Sequence, residues 1–192
     1  MEDKVMISPN YSVTKLTKPI TIDTYIDIFE DRTIFWFIKP AHILSEYEHG
    51  GYSILSLLGS YFESYAQYEK GKKSKNKSKE FFRFGFLSVF PDIHSKYSPS
   101  QIDEIIEIMY VGFRCGLFHD GLPRDKIMLT NDGFPITFIY SPIREICDIH
   151  INTFRFIKAI EIHFHKYIEK LRNPTQKELR ENIKKAFKNM WG

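Results

Sequence analysis

The chain has 192 residues, 43% hydrophobic and 16% aromatic, which supplies a sizeable core and excludes a globally disordered protein. A formal charge of +3 excludes a strong overall field for nucleic acid, so any such affinity must come from local clusters. Two cysteines, Cys115 and Cys147, exclude a disulfide framework and a cysteine-rich zinc site.

Residues 1–20, with Pro9 and Pro19, read as an irregular or short-stranded lead-in. Met1-Glu2-Asp3-Lys4 carries neither the basic start nor the apolar run of a signal peptide, and the apolar stretch 33–38 is too short to span a bilayer. A cytoplasmic protein with no membrane segment is expected. Early acidic residues and the spacing of Ile26, Phe29 and Ile34 predict a helix over 21–38, broken by Pro40. A second helix is predicted over 41–69, kinked or interrupted at Gly50-Gly51.

Residues 71–79 are nearly all Lys, Ser and Asn, so the basic stretch 70–80 is expected to be a mobile loop. Lys72, Lys73, Lys75, Lys77 and Lys79 are its candidate contacts for an RNA backbone, the alternative being a solvated connector. Phe81-Phe82-Arg83-Phe84-Gly85-Phe86 predicts a short helix ending before Pro91, its aromatics packed in the core, with base stacking as the other reading.

From Ser100 onward, Ile102, Ile105, Ile106, Met109, Phe113 and Leu117 form one apolar stripe of a helix. At α-helical winding Arg114 and His119 fall off that stripe, roughly 140° apart. Ile108, Val111, Cys115 and Phe118 lie on the opposite side, where an apolar surface implies a second cover, expected to be another copy of the chain. Beyond this helix, Ile127-Met128-Leu129-Thr130 and 134–140 flank Asn131-Asp132-Gly133, which predicts a β-hairpin, with Pro135 marking the second run as an edge or bulge. Ser141-Pro142 opens another helical region, and 146–171 reads as one long helix. Thr175 with Glu178 reads as a capping box opening a basic amphipathic helix in 173–192, which packs back on the domain or binds a partner.

The chemistry concentrates in Arg114-Cys115-Gly116-Leu117-Phe118-His119. An arginine offers a permanent charged fork that matches phosphate oxygens, and a histidine exchanges a proton near neutral pH. The pair points to phosphodiester chemistry. His163 and His165, with Glu161 nearby, do not make a metal site, because two residues on a helix separate side chains by about 200°. No metal or cofactor is expected. The alternative reading of the motif is structural: Arg114 capping carbonyls or pairing with a carboxylate such as Glu107, and His119 resting at a helix C-terminus.

The pattern of Arg, four residues and His, within Tyr110-Val111-Gly112-Phe113-Arg114-Cys115-Gly116-Leu117-Phe118-His119-Asp120-Gly121, resembles the HEPN superfamily. Leu57-Leu58-Gly59-Ser60-Tyr61-Phe62-Glu63-Ser64-Tyr65-Ala66-Gln67-Tyr68 looks like the long helix preceding the motif helix in that family, where an acidic residue often faces the site. The likeness covers about residues 42–172, and Cys115 stands where active members often carry Asn, Asp or His. The resemblance implies a mostly α fold, a HEPN-like helical bundle over 1–172 with a small β-hairpin insertion after the motif helix.

It also implies a metal-independent endoribonuclease acting as a toxin or phage-defence effector, with RNA as substrate, a homodimer as the working unit and an antitoxin or other defence protein as a possible partner. Arg114, His119, Glu63 and Tyr110 are the candidate catalytic residues. Ile108, Val111, Cys115 and Phe118 are the candidate dimer interface. The competing functions are a catalytically inactive HEPN-like module that binds nucleic acid or protein, and a structural helical subunit in which the Arg-His pair is incidental.

Overall fold

A computed structural model of the chain describes residues 5–16, 19–124, 126–143 and 145–191. The tetrapeptide Met1-Glu2-Asp3-Lys4, compared above with a signal peptide, lies outside them, as does Gly192. The described residues are mostly helical. An N-terminal ribbon, β1 (Met6–Ser8) and β2 (Tyr11–Ser12), precedes α1 (Ile22–Thr33), whose first turn is capped by the Thr21 hydroxyl accepting from Thr24 N. The helical path continues through a π turn, Ile34–Ile38, into α2 (Lys39–Ser45). Pro40 therefore does not break the chain's helical course. The widened π turn before it, where Lys39 N–H bonds Ile34 O, lies where its ring would otherwise crowd a carbonyl.

Gly50-Gly51 does interrupt the second predicted helix: α3 (Gly51–Gly59) starts there, and a further break at Ser60 separates it from α4 (Tyr61–Lys70). Then come α5 (Ser78–Val89), α6 (Asp92–Lys96) and α7 (Pro99–Ile108), the last opened by a Ser98/Gln101 capping box. The core is aromatic. Phe62 on α4 meets Phe82 and Phe86 of α5, each at 5.4 Å between centroids, and Phe156 at 5.9 Å. α4 and α5 cross closely because Gly85 has no side chain; a Cβ there would stand 2.0 Å from the carbonyl oxygen of Phe62.

Three sequence expectations fail after the motif: no helix opens at Ser141-Pro142 in the described residues, the hairpin does not form, and the long helix starts late. The runs β3 (Ile127–Thr130) and β4 (Ile136–Tyr140) do not pair as a hairpin, because β5 (Ile146–Asn152) lies between them, parallel to β3 and antiparallel to β4. The long helix predicted over 146–171 accordingly loses its first seven residues to that strand and survives as α8 (Thr153–Arg172). The cause is tertiary: β5 buries Ile146, Ile149 and Ile151 and satisfies the ladders of two neighbours, a demand the seven-residue pattern does not reveal. Asn152 marks the true start of α8, its side chain accepting from Arg155 N at 3.0 Å. The Thr175 hydroxyl donates to Asn173 at 2.8 Å, and α9 (Lys177–Trp191) begins two residues later. α9 packs on α1 and α4 through Ile183, Ala186 and Phe187, so it belongs to the same core as the residues before it.

A polar knot sits at the edge of this core. The Tyr61 hydroxyl meets His163 Nδ1 at 2.9 Å, and His163 Nε2 meets Ser88 Oγ at 3.0 Å. Burial, aided by Lys170 and Lys166, holds the His163 imidazole down at about 4. An unfolded histidine titrates near 6.5, so between that pH and about 4 the unfolded chain takes up a proton that the fold refuses. The stability contributed by neutral His163 is whole above pH 6.5 and lost as pH falls, by roughly 3 kcal/mol at pH 4. Urea unfolding at pH 7 and pH 4.5 should show His163→Gln losing less stability on acidification than wild type. Equal losses would mean that the imidazole is solvated.

Candidate functional site

α7 does not run on into the motif as an α-helix. Met109–Asp120 is wound as a π-helix, with Gly121 in the left-handed conformation (φ 75°) at its end. This corrects the facing of the motif. A π-helix turns less per residue than an α-helix, so Arg114 and His119, five residues apart, are separated around the axis by less than the roughly 140° of α winding. The stripe Ile102, Ile105, Ile106, Met109, Phe113 and Leu117 is nonetheless buried throughout. Gly116 lets the chain after the motif fold back over it. A Cβ there would lie 2.8 Å from both Leu122 O and Arg124 N, and Arg124 N donates to Gly112 O at 2.9 Å.

Arg114 is the centre of the site. Its guanidinium Nη2 lies 3.3 Å from Glu63 Oε2, and both side chains are largely withdrawn from solvent, with 25% and 15% exposed. Its carbon stands 5.0 Å from the Phe118 ring centre and 5.9 Å from that of Tyr110, whose ring also meets Phe82 of the core at 5.6 Å. Glu63 of α4 and Tyr110 are thus brought to Arg114, and the pairing of Arg114 with Glu107 is not formed: Glu107 binds Lys79. His119 is exposed near the end of the π segment, and among the described residues no hydrogen bond or ion pair joins it to Arg114 or Glu63. Asp120 beside it is held below the usual carboxylate range, first by its hydrogen bond to Arg124.

Glu63 has two further partners that the sequence reading missed. Ser74 Oγ donates to Glu63 Oε1 at 2.5 Å and Ser78 Oγ to Oε2 at 2.6 Å. The only sequence sign of them is the serines that punctuate the lysine run at a spacing of four. The stretch expected to be a mobile loop is consequently shorter and pinned: it spans 71–77, and its Ser74 and Lys72 amides also donate to Gln67, while Lys79 lies in α5. Lys72, Lys73, Lys75 and Lys77 are exposed, Lys77 beside Glu80 at 3.7 Å.

The four residues read as a dimer face divide in two. Ile108, Val111 and Cys115 are half-buried, with Ile108 packed on the core, whereas Phe118 is 53% exposed and lies against Arg114. Phe118 therefore belongs to the arginine's surroundings as well. Among the described residues no group of three or more His, Cys, Asp or Glu is placed to hold a metal ion, and no helix is long and apolar enough to cross a membrane. The chain matches no family model, no curated protein and no solved structure.

Proposed function

We propose that the chain is a metal-independent endoribonuclease of HEPN type, cytoplasmic, acting as a toxin or defence effector. The observation that carries this reading is the juxtaposition of Glu63 of α4 with Arg114 and Tyr110 on a π segment that bears an exposed His119 near its end. In the reaction the RNA 2′-oxygen attacks the adjacent phosphorus as the bond from phosphorus to the 5′-oxygen breaks, leaving a 2′,3′-cyclic phosphate and a free 5′-hydroxyl. One His119 takes the 2′ proton and a second gives a proton to the leaving oxygen. Arg114, oriented by Glu63, faces the charge that develops on the non-bridging oxygens. Lys72, Lys73, Lys75, Lys77 and Lys79 supply backbone contacts that any RNA sequence satisfies.

Acid and base are needed at once and the chain has one motif histidine, so the working unit is a homodimer joined through Ile108, Val111, Cys115 and Phe118. The same patch then serves on both subunits, and Val111→Glu buries two carboxylates. Light scattering at micromolar concentration should find a dimer for wild type and a monomer for Val111→Glu; a monomeric wild type removes the composite site. Cleavage of a labelled RNA should persist in EDTA and spare the matched DNA, which lacks the nucleophile. Activity abolished by EDTA and restored by a divalent metal, or equal cutting of DNA, overturns the mechanism.

A catalytically inactive binding module is the second reading. It is favoured by the ion pair itself, since Glu63 already occupies the Arg114 fork and nothing ties His119 to either. RNA that is bound and never cut would decide for it.

A further inference from the structure

The three-stranded sheet has the order β3, β5, β4, so β4 has a neighbour on one side only. Which of its backbone groups are left over follows from the register. Asn152 N donates to Pro135 O at 3.2 Å, and Ile136 stands opposite Ile151. Hydrogen-bonded and non-bonded pairs alternate along an antiparallel ladder, so Pro135, Thr137 and Ile139 address β5, whereas the N–H and C=O of Ile136 and Phe138 point away from it. Among the described residues no hydrogen bond reaches those four groups. Open edges are usually blunted by charge, proline or a bulge. β4 carries such devices only at its ends, Pro135 before it and a register shift between Ile139 and Tyr140, and no side chain from Phe134 to Tyr140 is charged.

This edge borders a cavity of about 630 Å³. Its wall takes in every residue from Phe134 to Phe138, and Phe90, Pro91, Ile93 and Tyr97 from the end of α5 and from α6 face them. Side chains of a strand alternate between its two faces, so a space walled by five successive residues follows the edge of the strand. Ile136 and Phe138 are half-buried and belong to this wall.

A second cavity, of about 780 Å³, adjoins the first, since Pro135 and Ala159 belong to both. The residues lining the two include three cations, Lys96, Arg155 and Lys158, and one anion, Asp92. Asp92 holds Lys96 at 3.2 Å, and Glu161, outside both walls, holds Lys158 at 2.8 Å. Asp132 in the neighbouring turn lines neither cavity. Arg155 is exposed, and among the described residues its guanidinium has no hydrogen bond or ion pair.

We infer that the β4 edge takes an extended peptide of a partner protein as a fourth strand, with one aromatic or branched aliphatic side chain in the cavity beside α6 and a carboxylate side chain on Arg155. A polypeptide backbone supplies donors and acceptors at the repeat that Ile136 and Phe138 present, and the apolar wall accepts one side chain of such a strand. The free cation at the Pro135 end selects an acidic residue there. The surface is independent of the ribonuclease reading, because none of its residues belongs to the Arg114 cluster.

Random heptapeptides displayed on phage are the probe. Selection on the intact chain should enrich sequences that combine an aromatic or branched aliphatic residue with an acidic one. A selected peptide should slow amide hydrogen exchange at Ile136 and Phe138, while Thr137 and Ile139, already bonded to β5, change little. Methylating the peptide's backbone nitrogens removes its donors and keeps its side chains, and should raise the dissociation constant at least roughly tenfold. Arg155→Glu changes an exposed residue in the first turn of α8, where a carboxylate suits the helix dipole, so the fold is kept. It should weaken the acidic peptide at least about fivefold and favour the same peptide with lysine in place of the acid. The proposal is overturned by a selection that enriches nothing, by equal binding of the methylated peptide, by no effect of Arg155→Glu, or by unchanged exchange at Ile136 and Phe138. Protection of those two amides that appears without peptide and grows with protein concentration assigns the edge to a second copy of the chain and overturns it as well.

Discussion

His119→Ala is expected to slow RNA cleavage by on the order of 10² to 10⁴, the range for loss of a general acid or base, with little change in RNA affinity. His119 is exposed and holds no other side chain, so the variant should keep the wild-type melting temperature. Arg114→Ala should lose both rate and affinity, because its charge meets the phosphate in the ground state and in the transition state. It also leaves Glu63 without its cation, though Ser74 and Ser78 still hold that carboxylate. Arg114→Lys should recover little, since an ammonium cannot reproduce the planar fork that meets Glu63 while lying against Phe118. Gel-based cleavage of a labelled RNA, with binding measured separately by fluorescence anisotropy, distinguishes the two losses. If both alanine variants cut RNA at the wild-type rate, the motif has only a structural part.

Gly85→Ala should be the most damaging single methyl that the fold can receive at this helix crossing. The atom it meets is the backbone carbonyl of Phe62, which cannot rotate away as a side-chain end would. Either α4 and α5 separate or the carbonyl's helical bond bends, and overpacking of this kind costs about 3 kcal/mol or more. For a domain of this size that is roughly 6 to 12 °C in melting temperature. Separation of the two helices would also displace Glu63 and Ser78, the α4 and α5 members of the network around Arg114. A calorimetric shift below about 2 °C would show that α4 and α5 do not cross this closely.

The sequence by itself determined which faces of most helices are buried. The stripe from Ile102 to Leu117 and Phe81, Phe82 and Phe86 of α5 are inside because apolar spacing follows the helical period, whereas Phe84, on the other side of α5, is exposed. It also located the break at Gly50-Gly51 and the concentration of chemistry around Arg114. Tertiary structure decided three matters that local pattern leaves open. Ile146–Asn152 is a strand because two other strands need its backbone groups, a requirement created by chain segments far away. The motif is π-wound, which narrows the angle between Arg114 and His119 around the axis, and a period of 3.6 read from the sequence presupposes the other winding. Glu63 could be read from the residues alone as a solvent-facing carboxylate, but folding gives it Arg114 at a separation of 51 residues, and Ser74 and Ser78 from the lysine-rich stretch. A carboxylate taken that far from water must find donors, and only the packed chain shows which ones reach it.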